Sequence, residues 1–394
     1  MQDRIVVLGA GQAAAQLVQS LRQNGHEGEI ALIGDEPHLP YQRPPLSKKY
    51  LMGEVGEDTL ELRPSSFYEA QSVELHLGVK AEAVDRERKL VKTSAGEKIA
   101  YDRLVFATGT RARSLPLAGA DLPGVVSLRT IADVEAIRPS LEGEGRVAIV
   151  GGGYIGLEVA AVARSLGREV TVLEGLDRVM KRVVSPAISE FYEKLHCENG
   201  VDIRLNVSIE GFEGTDRVEA VRFTNGSQLD CDLVLVAVGA APNDELAGAC
   251  GLDVSDGILV DGAGRTSDEA IHAAGDCTRF YSARYGRSIR LESVQNAIDQ
   301  AKAVAADICG KDVDYDPVPW FWSDQYHIKL QIAGLSQGYD EAKTVGDPAS
   351  GSFYVAYLKD GKLIAVDSIN HARSHMMARR SIGEAWCDDL LPPA

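Results

Sequence analysis

The fold of this chain is decided first by the stretch Ile5-Val6-Val7-Leu8-Gly9-Ala10-Gly11-Gln12-Ala13-Ala14. Four apolar residues run directly into a glycine-rich turn, which predicts a buried strand, a tight turn and the start of a helix. The backbone N–H groups at the positive end of such a helix can meet a pyrophosphate. A single match of this kind is weak evidence for a nucleotide site.

The same pattern occurs a second time. Val147-Ala148-Ile149-Val150 leads into Gly151-Gly152-Gly153-Tyr154-Ile155-Gly156, and the two glycine turns start 151 − 9 = 142 residues apart. A second apolar strand follows each turn, at 30–33 and at 169–173, and a later strand ends in glycine at Gly109 and at Gly239. This internal duplication predicts two nucleotide-binding units in one chain, and therefore electron transfer between two nucleotide cofactors.

Composition limits the partners. The 394 residues are 45% hydrophobic and 25% charged, which is sufficient for two or three globular domains. No apolar stretch approaches the length of a membrane span, and the N-terminus enters a strand without a signal-peptide pattern, so we predict a cytoplasmic protein. The net charge of −17 argues against nucleic acid and anionic membrane as partners, because the field repels both.

The cysteines and histidines predict no metal site. No two cysteines are spaced as CxxC or CxxxxC, and the first 196 residues contain none. Of the eight histidines, no two are spaced as HxH and only His371 and His375 are spaced as HxxxH, and one such pair supplies fewer ligands than a zinc site needs. Each cysteine is expected to be a small core residue rather than a reactive thiol. The six are Cys197, Cys231, Cys250, Cys277, Cys309 and Cys387.

Longer motifs spread over nearly the whole chain are more specific than the glycine turns. They are Arg43-Pro44-Pro45-Leu46-Ser47-Lys48, Ala107-Thr108-Gly109, Gly151 to Glu158, Ala274-Gly275-Asp276, Glu292 to Ala297, and Trp320-Phe321-Trp322-Ser323-Asp324-Gln325-Tyr326. Together they resemble the bacterial FAD-dependent ferredoxin reductases that serve haem monooxygenases and ring-hydroxylating dioxygenases. These enzymes belong to the glutathione-reductase-like flavoproteins with two dinucleotide-binding domains.

The resemblance implies an α/β fold with two Rossmann-like domains, for FAD and NAD, and a C-terminal α+β interface domain. The expected boundaries are 1–112 and 243–319 for a discontinuous FAD-binding domain, 113–242 for the NAD-binding domain and 320–394 for the C-terminal domain. Within the last, 353–358 and 363–366 read as the strands of a hairpin across Lys359-Asp360-Gly361-Lys362.

The first fingerprint is expected to hold FAD, with Asp35 accepting hydrogen bonds from the adenosine ribose. The resemblance implies that Asp276 meets the ribityl and pyrophosphate region, and that a helix start following it faces the phosphates. The predicted FAD contacts are Gly9, Gly11, Ala13, Ala14, Asp35, Arg43, Pro44, Thr108, Gly109, Gly275 and Asp276. The resemblance implies four further FAD contacts, which are Lys48, Ala81, Arg129 and Val294.

The second fingerprint is expected to hold the nicotinamide nucleotide. Glu174 stands 174 − 156 = 18 residues after Gly156, where a carboxylate accepts hydrogen bonds from the ribose diol and repels a 2′-phosphate. This favours NADH, although Arg178 and Arg182 could pair with the phosphate of NADPH. The predicted NAD contacts are Gly151, Gly153, Tyr154, Ile155, Gly156, Glu158, Glu174, Arg182 and Gly239.

Lys48, Glu158 and Trp320 are the predicted reaction-centre residues. In the family the lysine and the glutamate pair near flavin N5, where the lysine stabilises anionic reduced flavin and the carboxylate fixes the lysine. Without their motifs, both would be read as ordinary surface charges. Trp320 is expected at the flavin edge towards the acceptor, and Trp322 is expected to pack in the core.

These residues predict hydride transfer from NADH to FAD, followed by single-electron transfer to a 2Fe-2S ferredoxin. Ferredoxins of this class are usually acidic, so docking on a chain of charge −17 requires a local basic patch. The candidates are Lys302, Arg290, Lys329, Arg373, Arg379 and Arg380.

Three other functions share the architecture. A disulfide reductase or NADH oxidase needs a cysteine close to the flavin, and residues 35–49 contain none. An NADH:quinone reductase would need an amphipathic membrane-contacting segment, whereas the end of this chain is acidic. A flavoprotein that works as a redox switch, resembling apoptosis-inducing factor, would be reduced without fast turnover with a partner.

Overall fold

The structure, a computed structural model, describes residues 3–143 and 145–393. The chain folds as two compact units. Unit 1 comprises Met1–Gln42, Glu57–Arg111 and Ala241–Pro317, and unit 2 comprises Arg43–Gly56, Ala112–Ala240 and Val318–Ala394. Residues Arg43–Gly56 therefore group with unit 2, although the sequence suggested that they belong to the FAD-binding domain. The division into three domains remains a prediction.

Unit 1 contains a five-stranded parallel sheet together with smaller three-stranded sheets. Numbered along the chain, its strands are β1 (Ile5–Leu8), β2 (Ile30–Gly34), β3 (Val73–Leu77), β4 (Ala81–Asp85), β5 (Leu90–Thr93), β6 (Lys98–Ala100), β7 (Arg103–Phe106), β18 (Ile258–Val260), β19 (Ile271–Ala273), β20 (Thr278–Ser282) and β21 (Arg287–Ile289). Its helices are α1 (Gln12–Gln23), α2 (Ser65–Ala70), α6 (Glu245–Ala249) and α7 (Val294–Ile308). Two short strands, β8 (Thr110–Ala112) and β17 (Ala240–Pro242), lie where the chain leaves one unit for the other.

The parallel sheet of unit 1 has the strand order β19-β7-β1-β2-β3. Because β1 lies between β2 and β7, the first glycine turn opens at the carboxyl end of the central strand, the usual ligand position in such sheets. Helices α1 and α7 pack against each other through a core that includes Leu17, Val18 and Val304. The apolar runs of β1 and β2 are buried because parallel sheets are covered on both faces.

Unit 2 repeats this plan and adds an antiparallel sheet. Its strands are β9 (Val125–Val126), β10 (Arg146–Val150), β11 (Glu169–Leu173), β12 (Val201–Arg204), β13 (Ile209–Glu213), β14 (Ala220–Phe223), β15 (Gln228–Asp230), β16 (Leu233–Val236), β22 (Trp320–Gln325), β23 (Ile328–Gly334), β24 (Glu341–Asp347), β25 (Ser352–Lys359) and β26 (Lys362–Ile369). Its helices are α3 (Ile131–Leu141), α4 (Tyr154–Ser165), α5 (Pro186–Glu198) and α8 (Ala372–Ser381).

The parallel sheet of unit 2 has the order β12-β11-β10-β16-β9, so the second fingerprint strand β10 again lies inside the sheet. The antiparallel sheet has the order β22-β23-β26-β25-β24, and α8 packs on it through Ala378. The predicted hairpin is confirmed, because β25 and β26 pair antiparallel on either side of Asp360 and Gly361. Within the described ranges, no helix is long and apolar enough to cross a membrane.

Two local predictions were wrong. No helix starts at Asp276, because a turn leads directly into strand β20 at Thr278. Cys197 and Cys387 are exposed rather than in the core, whereas Cys231 and Cys277 are buried as expected. Sequence reasoning failed in these cases because exposure and chain direction after a glycine depend on distant packing.

Asp367 on β26 is a fully buried carboxyl group. Its Oδ2 accepts a hydrogen bond from the Tyr357 hydroxyl, which in turn accepts one from the Ser185 N–H at 2.9 Å. Burial raises the pKa of Asp367 to about 7, and the Tyr357 hydrogen bond offsets part of that rise. The folded protein therefore holds this proton more tightly than the unfolded chain does.

Asp367→Asn is expected to stabilise the protein increasingly as the pH rises from 4 to 8. The folded pKa lies above the unfolded value, so the penalty for the ionised group is absent at low pH and complete above pH 7. At about 1.36 kcal/mol for each pKa unit, this penalty is roughly 4 kcal/mol, and asparagine removes it while still accepting the Tyr357 hydrogen bond. Melting temperatures across this pH range measure the effect, with the exposed Asp216→Asn as control. A pH-independent difference would contradict it.

Candidate functional site

The first fingerprint turn forms a cradle at the start of α1. Gly9 has φ +116°, and a Cβ there would lie 2.1 Å from the Ala107 carbonyl oxygen, so the strand ends can approach only if this residue is glycine. A Cβ on Gly11 would instead face open space, with no described atom within 4 Å. Among the described residues, no side chain caps α1 and no acidic residue lies in its first turn. These features fit the pyrophosphate of FAD.

The predicted FAD residues of unit 1 only partly converge on this cradle. Gly275 does so, because a Cβ on it would lie 3.2 Å from the Ala13 Cβ. Asp35 is exposed directly after β2, at the carboxyl edge of the same sheet. Val294 is the first residue of α7, whose cap is Ser293. Ala81 begins β4 in the separate antiparallel sheet β4-β5-β6.

Two supporting residues of unit 1 were not anticipated from the sequence. The Gln300 Oε1 accepts hydrogen bonds from the Gly275 N–H and the Thr278 hydroxyl, both at 2.8 Å, and so holds the Gly-Asp turn. Asn243 donates to the Thr108 carbonyl at 2.8 Å, and its own carbonyl accepts from the Thr108 hydroxyl at 2.7 Å. No local motif distinguishes these amides, although Gln300 is a polar residue on a buried helix face.

The second fingerprint turn has the same construction. Gly151 has φ +108°, and Cβ atoms on Gly151 and Gly156 would lie 2.4 Å and 2.1 Å from backbone oxygens. Gly153 caps α4 without a side-chain hydrogen bond from any described residue, and a Cβ on it would face open space. Ile155, the second residue of α4, is 41% exposed. The arrangement fits the pyrophosphate of a nicotinamide nucleotide.

Glu174 faces this turn from the end of β11. Its Oε2 accepts a hydrogen bond from the Gly152 N–H at 2.8 Å, and its Oε1 accepts one from the Leu176 N–H at 2.9 Å. A carboxylate can accept about four hydrogen bonds, so lone pairs remain for a ribose diol. Arg178 donates to the Val184 carbonyl at 2.9 Å and the Ser189 hydroxyl at 2.6 Å, which engages it in its own loop. Arg182 is exposed, and Gly239 has φ +107°.

The predicted reaction-centre pair is brought together in unit 2. Lys48 Nζ lies 2.6 Å from Glu158 Oε2, and it also lies 3.3 Å from both the Pro44 carbonyl oxygen and the Ser47 hydroxyl. The 3-10 turn of Pro44–Ser47 places Lys48 over α4, on which Glu158 is only 5% exposed. Arg43 donates to the carbonyl of Arg129 at 2.6 Å, so four of the predicted FAD residues lie in one region of unit 2.

Three side chains donate to the Glu158 carboxylate. Besides Lys48, the Ser47 hydroxyl donates to Oε2 at 2.5 Å and the Ser323 hydroxyl donates to Oε1 at 2.7 Å. A buried carboxylate is costly unless it is paired and hydrogen-bonded, and this one is both. The result is a fixed ion pair in which the Lys48 side chain remains 21% exposed.

Trp320, the first residue of β22, packs against an arginine side chain. The Arg379 guanidinium is 4.8 Å from the centre of its ring, and the edge-on ring of His375 is 6.1 Å away. Burial, and then the Arg379 charge, lowers the pKa of His375 to about 4, so this imidazole is neutral at pH 7. Trp322, predicted to be a core residue, is only partly buried and lies 5.8 Å from Trp320.

The proposed docking residues differ in their charge balance. Lys302 Nζ lies 3.1 Å from Asp299, and Lys329 Nζ lies 3.8 Å from Asp324. Arg290 is 13% exposed and pairs with Asp256 and Glu292, which leaves little free positive charge. Helix α8 is different, because it carries three exposed arginines and no acidic residue. These are Arg373, Arg379 and Arg380.

Comparison with known proteins identifies the family. Residues 3–301 match the pyridine nucleotide-disulphide oxidoreductases, and residues 320–389 match the reductase C-terminal family. A ferredoxin–NAD(P)(+) reductase from a Sphingomonas species is 45% identical over 381 residues, which cover 96% of this chain and 92% of that protein. Putidaredoxin reductase from Pseudomonas putida is 45% identical over 374 residues, covering 93% and 89%.

A solved structure agrees with the sequence matches. The crystal structure of the covalent putidaredoxin reductase–putidaredoxin complex superposes with a TM-score of 0.93 at 42% identity, covering 97% of this chain and 94% of the chain compared. The predicted α/β fold with a C-terminal reductase domain is confirmed. The chain belongs to the pyridine nucleotide-disulphide oxidoreductase family and, within it, groups with the ferredoxin reductases.

Proposed function

We propose that this protein is a cytoplasmic NADH-dependent ferredoxin reductase that supplies electrons to a haem monooxygenase or a ring-hydroxylating dioxygenase. Bound FAD would accept a hydride from NADH and release its electrons singly to a 2Fe-2S ferredoxin. The observation that carries the proposal is the Lys48–Glu158 ion pair, which joins the residue after the 3-10 turn Pro44–Ser47 to helix α4 of the second fingerprint. The two relatives at 45% identity are named as a ferredoxin–NAD(P)(+) reductase and as putidaredoxin reductase.

The chain's own groups have separable roles in this proposal. The start of α1 binds the FAD pyrophosphate and the start of α4 binds that of NADH, because each presents uncapped N–H groups. Glu174 accepts hydrogen bonds from the NADH ribose. Lys48 holds a positive charge where the family resemblance places the flavin ring, and Glu158 fixes the ammonium in position.

The function is tested by mixing the purified holoprotein with NADH and a 2Fe-2S ferredoxin and following ferredoxin reduction spectroscopically. Sustained turnover with ferredoxin supports the proposal. Flavin reduction without turnover would identify a redox switch instead. Faster transfer to a soluble quinone than to any ferredoxin would identify a quinone reductase.

NADH is expected to be preferred over NADPH, and Glu174→Ala should narrow that preference. The variant loses a charge-assisted hydrogen bond to the ribose, worth about 1.5–3 kcal/mol, so kcat/KM for NADH should fall roughly tenfold or more while that for NADPH falls less. Glu169→Ala, an exposed change at the other end of β11, is the control. Equal kcat/KM values for NADH and NADPH in the parent protein would contradict the assignment.

Ferredoxin docking is expected to use helix α8, which carries three exposed arginines, one of which, Arg379, lies over the Trp320 ring. Arg380→Glu should raise the KM for ferredoxin about tenfold and leave NADH-to-ferricyanide turnover unchanged, and rising salt should weaken ferredoxin reduction steeply. Lys302→Glu should have a smaller effect, because Asp299 already balances that charge. A salt-independent KM would show that docking does not use this basic helix.

A further inference from the structure

Glu158 stands at the end of a buried chain of hydrogen bonds in unit 2. The Ser323 hydroxyl donates to Glu158 Oε1 at 2.7 Å, and Gln325 Nε2 donates to the Ser323 oxygen at 3.1 Å. Beyond it, His196 Nε2 lies 2.8 Å from Gln325 Oε1. None of these three side chains is more than 1% exposed.

The hydrogen bonds of this network all run in one donor-to-acceptor direction. The ionised Glu158 can only accept, so Ser323 must donate to it and must itself receive a hydrogen bond, which the Gln325 amide nitrogen supplies. The Gln325 carbonyl oxygen then accepts from His196, which fixes the proton on Nε2. Burial holds the pKa of His196 below its usual value, so the ring is neutral. Every donor therefore points towards Glu158.

Strand β22 and the residue that follows it position the members of this hydrogen-bond chain. Ser323 and Gln325 are two residues apart on β22 and so lie on the same face of the strand. Tyr326, which follows directly, adopts φ +54°, a conformation that costs energy for a residue with a side chain. In this conformation its ring packs 5.2 Å from that of His196, and its hydroxyl lies 3.4 Å from His196 Nδ1. Tyr326 therefore covers His196, the end of the hydrogen-bond chain that lies farthest from Glu158.

We propose that Ser323, Gln325 and His196 are positioning residues that hold the Glu158 carboxylate aimed at Lys48. This rests on the proposed function, in which the Lys48 ammonium acts at the flavin. Aligned hydrogen bonds polarise one another, and an anion at the accepting end gains most from that alignment. Glu158 is thereby held between this chain on Oε1 and the Lys48 ammonium on Oε2.

The first test compares two buried serines of unit 2 in the holoprotein. Ser323→Ala removes the donor to Glu158 Oε1, and it is expected to slow flavin reduction by NADH about tenfold in stopped-flow, with the KM for NADH little changed. Ser368→Ala removes an equally buried hydroxyl, which contacts Ser374 and not Glu158, and it should leave the rate unchanged. Equal effects of the two changes would overturn the proposal.

A double-mutant cycle separates positioning from packing. Gln325→Leu should slow flavin reduction about threefold by itself, and it should add nothing once Ser323→Ala has broken the last link. If the side chains only filled the core, the two losses would multiply. If the rate losses of the two variants multiply while the melting temperatures stay unchanged, the proposed hydrogen-bond chain is contradicted.

The third test does not depend on activity. In histidine-15N-labelled holoprotein, His196 should appear as the Nε2-protonated tautomer, and Glu158→Gln should move its Nε2–H proton signal upfield, because the charge that polarises the chain is lost. Loss of the signal in His196→Asn assigns it to this residue. If that variant does not fold, a shift of the signal in Gln325→Leu assigns it instead, because Gln325 contacts His196 Nε2. An Nδ1-protonated ring, or a signal unaffected by Glu158→Gln, overturns the proposal. If the His196 signal responds to Glu158→Gln but the protein reduces no ferredoxin, the proposed function fails and the hydrogen-bond chain stands.

Discussion

Lys48→Met is expected to slow the reduction of bound FAD by NADH about 100-fold while FAD remains bound. The Lys48 ammonium is held in place before reaction by Glu158 at 2.6 Å and by the Pro44 carbonyl at 3.3 Å. Removing one such preorganised electrostatic group from an active site costs roughly 10²–10³ in rate. The pyrophosphate cradle at Gly9 and Gly11 is a separate element of the chain, so cofactor content should be preserved.

Stopped-flow absorbance at the flavin band measures this rate, and the flavin-to-protein ratio measures retention. Lys92→Met is the matched control, because Lys92 also pairs with a carboxylate, Glu82, at 3.1 Å, but on an exposed antiparallel sheet. Lys48→Met leaves the buried Glu158 without its counterion, so Lys48→Met/Glu158→Gln should regain stability without regaining rate. Reduction at the parental rate would show that Lys48 takes no part in the reaction, and loss of FAD would show that its role is structural.

Gly9→Ala and Gly11→Ala are expected to have opposite consequences although they lie two residues apart. At Gly9 a methyl group would lie 2.1 Å from the backbone oxygen of Ala107 in a backbone conformation of φ +116°, so we expect no soluble holoprotein. At Gly11 the backbone has φ −108° and the added methyl has no described neighbour within 4 Å. The fold should therefore survive, while the methyl occupies the approach of the pyrophosphate and weakens FAD binding about tenfold or more.

Soluble yield, the melting temperature of the apoprotein and FAD titration distinguish these outcomes. Gly153→Ala is the control in the second fingerprint, where a Cβ also faces open space, and it should raise the KM for NADH while leaving FAD content unchanged. A Gly11→Ala protein that binds FAD as tightly as the parent would exclude the first fingerprint as the pyrophosphate site. A stable Gly9→Ala holoprotein would show that the two strand ends can separate.

Much of the site could be predicted because its signals are local. A fingerprint places strand, turn and helix within about ten residues, although the close approaches that require glycine at Gly9 and Gly151 are to the distant residues Ala107 and Ala237. The bounds of β11 and the position of Glu174 at its end followed from hydrophobic pattern alone. Lys48 and Glu158, 110 residues apart, were paired only through the family motifs, and the structure places their charged atoms 2.6 Å apart.

The sequence by itself determined the two nucleotide-binding units, their order and the positions of their glycine turns, because strand periodicity and positive φ at glycine are properties of short segments. Only the tertiary structure decided which side chains support Glu158, since Ser323, Gln325 and His196 come from a strand and a helix far apart in the chain. It also decided that Arg290 is neutralised by Asp256 and Glu292 and that a strand follows Asp276. Buried hydrogen bonds and ion pairs depend on distances between elements, and these distances are set by how the core packs rather than by any local pattern.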